Sequence, residues 1–241
     1  MEIIWGERAA RWFVNASEYT GYHRELADIL LAFMQPGGTL CDLGCGIGLI
    51  DFALADHLKQ ITCVDISAEA LEILEAEAAR RRIGNITALR ADAATLEGQW
   101  DDGLMLFFHG TLTDNIAHFL RLFRRRLFYI VHADPIDPQR DHRPERTKCS
   151  SVSAIQGDLD RQRINYQLFH HALEYGQPFG SLEEAIDFTR AYRLCPQGKE
   201  EGFLKARLRP AQKTREGYQY YLPHTKRFGM FIIGREDNAH I

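Results

Sequence analysis

The sequence predicts an α/β fold in which a doubly wound, mostly parallel sheet is flanked by helices on both faces. Short apolar runs alternate with segments of helical pattern between residues 40 and 133, as βαβ units require. Three closely spaced glycines follow the first apolar run directly, which is typical of a strand that turns into a ligand-facing helix. The chain also ends in two short β-rich runs separated by a turn.

Five strands are predicted because each apolar run stops at polar or turn-forming residues. Two helices are predicted between the first three strands, over residues 49–58 and 68–82. The basic residues Arg121 and Arg124–Arg126 are expected to end a further helix, where cations suit the negative end of the dipole. The predicted strands are residues 40–43, 60–65, 86–90, 103–108 and 127–133.

The two ends of the chain show different patterns. Residues 5–33 predict two helices that break near residues 15–17, with Ser17 capping the second. Residues 164–173 are expected to be extended, and residues 181–192 form a helix that opens with a capping box. Residues 218–222 and 228–233 predict a β-hairpin around a Pro223 turn.

A chain of 241 residues is expected to form a single domain. Within residues 1–241, four segments are predicted. They are an N-terminal helical segment (1–35), a core of alternating strands and helices (36–135), an insertion (136–180) and C-terminal helices with the hairpin (181–241).

Composition excludes several classes of protein. No apolar run is long enough to span a membrane, and the N-terminus lacks the pattern of a secretory signal, so a cytoplasmic location is expected. Five cysteines without C-x-x-C spacing predict neither a disulfide framework nor a metal site. The net charge of −4 gives no sign of non-specific nucleic-acid binding.

The glycine loop indicates a nucleotide-type cofactor. Gly44, Gly46 and Gly48 allow positive φ angles and a close approach of backbone to ligand. A dinucleotide fingerprint wants a third glycine where Leu49 stands, and Asp42 would lie awkwardly near a pyrophosphate but comfortably near an ammonium group. The pattern therefore favours a cofactor other than a dinucleotide.

Acids follow the next two strands. Asp65 ends the second strand about twenty residues beyond the loop, where a carboxylate can accept hydrogen bonds from ribose hydroxyls. Asp92 and Ala93 follow the third strand in the same way. Because the carboxyl ends of parallel strands meet at one edge of a sheet, these groups are expected to converge there.

Together, these residues resemble the class I S-adenosylmethionine-dependent methyltransferases. The resemblance implies a Rossmann-like, seven-stranded sheet with an antiparallel C-terminal strand beside the fifth. It also implies that residues 36–135 form the cofactor-binding core and that residues 1–35 form a helical lid over the cofactor or substrate. It implies that Asp42 lies near the methionine amino group, that Asp65 binds the ribose, and that Asp92 and the backbone of Ala93 face the adenine. The cofactor-binding residues expected from it are Asp42, Gly44, Cys45, Gly46, Gly48, Asp65, Ile66, Asp92, Ala93 and His109.

His109 is the first candidate for a catalytic role. It follows the fourth strand, and its imidazole could orient an acceptor or remove its proton. His132 ends the fifth strand and could face the same space. Aromatic and polar residues of the N-terminal helices are further candidates for substrate contact: Trp12, Tyr19, Tyr22 and His23.

The sequence favours a small-molecule acceptor, because the aromatic N-terminal segment and the central insertion could enclose one. Two alternatives stay open. Residues 119–148 carry eight Lys or Arg against four acids, and residues 199–227 carry eight against three, which is the sole support for an RNA or protein substrate. The third reading is a protein that binds S-adenosylmethionine without transferring its methyl group.

Overall fold

The computed structural model describes residues 6–108, 112–135, 151–212 and 217–239. Within these ranges the chain forms two compact units. The larger unit comprises residues 26–172 and 227–241, and the smaller unit comprises residues 1–25 and 173–226.

The strands and helices are numbered here in chain order. The strands are β1 (Thr39–Leu43), β2 (Gln60–Asp65), β3 (Ile86–Arg90), β4 (Trp100–Leu106), β5 (Phe123–His132), β6 (Gln167–Glu174), β7 (Gln177–Phe179), β8 (Arg209–Pro210), β9 (Tyr220–Leu222) and β10 (Thr225–Gly234). The α-helices are α1 (Glu7–Thr20), α2 (Tyr22–Leu31), α3 (Leu49–Leu54), α4 (Ala68–Arg81), α5 (Ile116–Leu122), α6 (Val152–Arg161), α7 (Leu182–Ala191) and α8 (Glu200–Arg207).

A seven-stranded sheet with the order β3-β2-β1-β4-β5-β10-β6 forms the centre of the larger unit. Strands β1 to β5 are parallel to one another, whereas β10 runs antiparallel to β5, from Phe228 opposite His132 to Gly234 opposite Arg126. This confirms the predicted fold class. The strand order reverses between β1 and β4, and open α/β sheets bind ligands at such a switch point, beyond the carboxyl ends of the strands.

The core of the larger unit lies along the buried central parts of β1, β4 and β5. Leu43, Met105 and Tyr129 on these strands pack with Phe119 of α5 and Ile155 of α6. A strand buried on both faces needs apolar residues at nearly every position, which is why the sequence showed continuous runs rather than alternation.

The fourth and fifth strands start earlier than predicted. β4 begins at Trp100 and includes Asp101 and Asp102, while β5 begins at Phe123. Arg124–Arg126 therefore belong to a strand, and the expectation that they end a helix is wrong. The reason is charge pairing between neighbouring strands: the Asp102 Oδ2 atom accepts a hydrogen bond from Arg125 Nη2 at 2.8 Å.

The N-terminal helices divide at Gly21 rather than near residues 15–17. Gly21 adopts a left-handed conformation with φ of 78°, and its N–H donates to the Ser17 carbonyl at 2.8 Å. This is a glycine C-cap. Ser17 lies inside α1 and does not cap α2.

The smaller unit contains a three-stranded antiparallel sheet with the order β7-β9-β8. Its core is formed by Phe179, Ala185, Leu204 and Leu222. Helix α7 begins as predicted, because the Ser181 Oγ atom accepts a hydrogen bond from the Glu184 N–H at 3.1 Å.

The predicted C-terminal hairpin is wrong. Strand β9 lies between β7 and β8 in the smaller sheet, whereas β10 pairs with β5 in the larger one. Both hydrogen-bonding edges of β9 are thus occupied by strands other than β10. In the described ranges, no helix has the length and apolar character needed to cross a membrane.

Candidate functional site

The glycine loop joins β1 to α3 at the switch point of the sheet. Gly44, Gly46 and Gly48 have φ angles of 78°, 55° and 74°, which residues with a Cβ atom rarely adopt. The N–H groups of Gly44 and Cys45 donate to the Val64 carbonyl at 2.7 and 3.1 Å. The loop is thereby attached to the end of the neighbouring strand β2.

Asp65 holds the loop from the end of β2. Its Oδ2 atom accepts a hydrogen bond from the Gly46 N–H at 2.9 Å, and its Oδ1 atom accepts one from the Ser67 N–H at 2.8 Å. Ser67 in turn caps α4 through the Ala70 N–H. A carboxylate has about four lone-pair positions, so two remain for hydroxyl donors of a ligand.

Two side chains pack closely against the loop glycines. A Cβ atom on Gly44 would lie 2.7 Å from Cδ2 of Phe108, and one on Gly48 would lie 2.6 Å from Cδ1 of Leu74. Both distances are too short for a real contact. Glycine is therefore needed at these positions for space as well as for the φ angle.

A pair of buried carboxyl groups lies beneath the loop. Asp42 and Asp51 are 1% and 0% exposed, and none of their four oxygens has a hydrogen-bond partner among the described residues. Desolvation and the neighbouring Asp51 raise the pKa of Asp42 well above its usual range. Desolvation raises the pKa of Asp51 to about 6. Two adjacent buried carboxyls cannot both ionise easily, so the pair holds a proton more tightly than free carboxyls do.

Sequence reasoning missed Asp51. The signal was present, because an acid stands inside the apolar helical run of residues 49–54. An ionisable residue on the buried face of a helix next to a ligand loop is a candidate for function.

The residues after β2 and β3 complete this edge of the sheet. Ile66 is 57% exposed although it is a large apolar residue. Asp92 is exposed, and its Oδ1 atom accepts a hydrogen bond from the Ala94 N–H at 2.9 Å. Ala93 is buried, and its carbonyl oxygen lies 3.3 Å from Nε2 of His118.

The part of the sequence that contains this site matches a known protein family. A family profile described as "Methyltransferase domain" matches residues 40–128, which run from β1 into β5 and include the loop and the acids after β2 and β3. This match and the seven-stranded sheet together support a class I S-adenosylmethionine-dependent methyltransferase. S-adenosylmethionine is the cofactor of this class.

Solved structures share the fold of the methyltransferase. A SAM-dependent methyltransferase from Aquifex aeolicus matches with a TM-score of 0.56 and 13% identity over 94% of this chain and 96% of that chain. Precorrin-6y C5,15-methyltransferase from Geobacter metallireducens matches with a TM-score of 0.53 and 10% identity over 87% and 86%. Magnesium protoporphyrin IX methyltransferase from Synechocystis, crystallised with bound SAH, matches with a TM-score of 0.51 and 17% identity over 87% and 83%. A comparison with curated proteins gave no significant match.

The carboxyl ends of β4 and β5 carry aromatic side chains. Phe107 follows β4 with a φ of 52°, which is unusual for a residue other than glycine. Its ring stacks on the imidazole of His132 with centroids 4.5 Å apart. His109, the predicted catalytic residue of the methyltransferase, lies outside the described residues.

The four predicted substrate residues of the N-terminal helices differ in environment. The Trp12 indole N–H donates to Glu184 at 3.1 Å, and the Tyr19 hydroxyl accepts from the Gln212 N–H at 3.0 Å, so both are paired and buried. His23 is buried with Nδ1 2.6 Å from Ser17 Oγ, and burial lowers its pKa to about 3. Tyr22 is buried without a partner for its hydroxyl among the described residues.

Proposed function

We propose that this methyltransferase transfers the methyl group of S-adenosylmethionine to a small-molecule acceptor by in-line displacement. When bound, the cofactor supplies a methyl group on a positively charged sulfur. The remaining task of the protein is to hold the cofactor, to align the nucleophile behind the methyl carbon and to exclude water.

The buried carboxyl of Asp42 carries the proposal for the cofactor. A buried polar group without a hydrogen-bond partner is costly, and both oxygens of Asp42 are in this state among the described residues. The ammonium group of a methionine moiety would provide the missing donors. A cation at this place would also favour the ionised form of the carboxyl.

The other contacts proposed for the cofactor follow the edge of the sheet. The loop backbone would pass the methionine moiety, Asp65 would accept hydrogen bonds from the ribose, and the exposed side chain of Ile66 would cover one face of the adenine. Asp92 would lie beside the exocyclic amine. The proposed cofactor-binding residues are Asp42, Gly44, Cys45, Gly46, Gly48, Asp65, Ile66, Asp92 and Ala93, together with His109.

A small molecule is favoured as acceptor by the aromatic edge of β4 and β5. Phe107, Phe108 and His132 offer flat, partly exposed surfaces beyond the strand ends, and flat rings stack well on such surfaces. Two structures of similar fold carry names that refer to precorrin and to magnesium protoporphyrin IX, which are small molecules. In this proposal His109 orients the acceptor or accepts its proton.

Cofactor binding is tested by calorimetry on the full chain with S-adenosylmethionine and with NADH. We expect S-adenosylmethionine to bind and NADH not to bind. Mass spectrometry of the purified protein should also find S-adenosylmethionine or its demethylated product. Preferential binding of NADH would refute the cofactor assignment.

The acceptor class is tested with S-adenosylmethionine that carries a radioactive methyl group. The enzyme is incubated with a cell extract separated into a small-molecule fraction, an RNA fraction and a protein fraction. We expect label in the small-molecule fraction. Label in RNA or protein would exclude the proposed acceptor class, and tight cofactor binding with no label in any fraction would indicate a non-catalytic binding protein.

A further inference from the structure

A cluster of aromatic side chains surrounds one lysine in the smaller unit. The ring centroids of Tyr22 and Tyr175 lie 4.6 Å apart, and the Lys226 Nζ atom lies 5.5 and 5.0 Å from them. Phe13 and His23 pack beside Tyr175 at 5.9 and 6.2 Å. Residues that are far apart in sequence thus form one packed group.

Two hydroxyl groups in this cluster are left without partners. The oxygens of Tyr22 and Tyr175 are buried and have no hydrogen-bond partner in the described part of the chain. Desolvation raises the pKa of both phenols, so both keep their protons and remain donors. A buried hydroxyl without a partner destabilises the folded state, and phenylalanine at these two positions would avoid that cost, so packing alone does not explain the two tyrosines.

The lysine is the third donor. Desolvation lowers the pKa of Lys226 to about 7, so its amine exchanges its proton near neutral pH. Tyr22, Tyr175, His23 and His224 are titratable groups that interact with it. Burial and the charge of Lys226 lower the pKa of both histidines, so they stay neutral when Lys226 is charged.

We propose that Tyr22, Tyr175 and Lys226 form a binding site for the carboxylate group of a small molecule. The carboxylate would accept hydrogen bonds from the two phenols and form an ion pair with the lysine. This site lies within the smaller unit, and its existence does not depend on the proposed methyl transfer.

The chemistry of the cluster selects an anion. Phenol hydroxyls and an ammonium group are donors, and a carboxylate offers about four acceptor positions in one plane. A cationic ligand would be repelled by Lys226 and would compete with it for the faces of the two tyrosine rings. The rings of Phe13, Tyr22 and Tyr175 further favour an acid that carries an apolar or aromatic group.

The site is tested with benzoate and phenylacetate as probes, and with benzamide and phenylacetamide as their uncharged counterparts. Binding to the full chain is measured by calorimetry at about pH 6 and pH 8. We expect the acids to bind and the amides not to bind. Because the protonated fraction of an amine with a pKa of about 7 falls about tenfold over this range, the affinity for the acids should fall about tenfold.

Substitutions distinguish acid binding at the proposed site from non-specific acid binding elsewhere on the protein. Lys226→Met keeps the length of the side chain and should abolish acid binding and its pH dependence, whereas Lys205→Met on the exposed surface of α8 should change neither. Tyr22→Phe and Tyr175→Phe should each weaken acid binding about fivefold, as expected for one hydrogen bond. NMR of the Lys226 side chain should show its pKa rise when an acid binds.

Several outcomes would overturn the proposal. These are equal affinity for acids and amides, unchanged acid binding in Lys226→Met, or no acid binding at millimolar concentration at pH 6. Binding of S-adenosylmethionine is measured in each variant. If a variant loses acid binding but still binds S-adenosylmethionine, the acids bind at this cluster. If a variant loses S-adenosylmethionine binding but still binds the acids, the effect lies at the glycine loop.

Discussion

Asp65 illustrates how one side chain can serve both the fold and the ligand. Its two oxygens hold the backbone of Gly46 in the loop and of Ser67 at the start of α4. The sequence predicted a ribose ligand at this position, and that role stays a prediction. The structure adds that the same carboxylate sets the position of the loop.

We therefore expect Asp65→Ala to weaken S-adenosylmethionine binding by tenfold or more, which corresponds to about 1.4 kcal/mol. The loss combines missing ribose contacts with a loop released from β2. Calorimetry measures the affinity, and Asp56→Ala on the exposed surface of the same unit is the control. Equal affinity in the Asp65 variant and the wild type would refute the role of this residue.

The pair of Asp42 and Asp51 makes the stability of the protein depend on pH. The pKa of Asp51 rises from its ordinary value of 3.8 to about 6 in the folded protein. Between these values the folded state binds more protons at Asp51 than the unfolded state does, so the contribution of this group to stability is greatest at low pH and falls as pH rises. The slope for one such group is at most about 1.4 kcal/mol per pH unit.

Asp51→Asn should remove much of this dependence. We expect the variant to be more stable than the wild type above about pH 7 and no more stable below about pH 4, because the amide carries no charge to bury. Urea unfolding across this pH range measures the effect, with Asp56→Asn as the control. A variant with the same pH slope as the wild type would exclude Asp51 as the titrating group.

At the scale of elements, the loop between β1 and α3 depends on packing by α4. Gly48 has a φ of 74°, and Leu74 occupies the space that a Cβ atom would need. Gly48 is thus the residue at which the turn and α3 pack against α4.

Gly48→Ala should destabilise the protein by about 2 kcal/mol, since the left-handed conformation alone costs 1–2 kcal/mol and the contact with Leu74 adds to it. Cofactor affinity should fall as well. The control is Gly84→Ala, because a Cβ atom there would meet nothing within 4 Å. If thermal unfolding showed the two variants to be equally stable, the packing argument would fail.

The elements that could be predicted are those whose ends are marked by residues close together in the sequence. Strands β2 and β3 were predicted at their observed bounds, and α4 ends within one residue of its prediction, because apolar runs, a serine cap and turn residues mark them. The starts of β4 and β5 could not be predicted, since Asp102 and Arg125 look like surface charges until the strands pair. The helix break at Gly21 was placed wrongly because Ser17 also resembled a cap.

At the scale of the whole molecule, cofactor binding should stabilise the folded state. A ligand that binds the folded state alone, at a hundred times its dissociation constant, adds about 2.7 kcal/mol. We expect S-adenosylmethionine to raise the midpoint of thermal unfolding, and NADH at the same concentration to leave it unchanged. An equal shift with both compounds would contradict a site specific for the methyl donor.

The sequence by itself determined the α/β class, the glycine loop, the acids at the strand ends and hence the resemblance to class I methyltransferases. These features depend on neighbours along the chain, where periodicity and turn chemistry act directly. The tertiary structure decided which strands pair, so that β9 and β10 belong to different sheets. It also decided that Asp51 is buried beside Asp42, and that Tyr22, Tyr175 and Lys226 meet in one cluster. The protonation of these groups depends on burial and on contacts between residues that are distant in sequence. Neither burial nor such contacts can be predicted from a local sequence pattern.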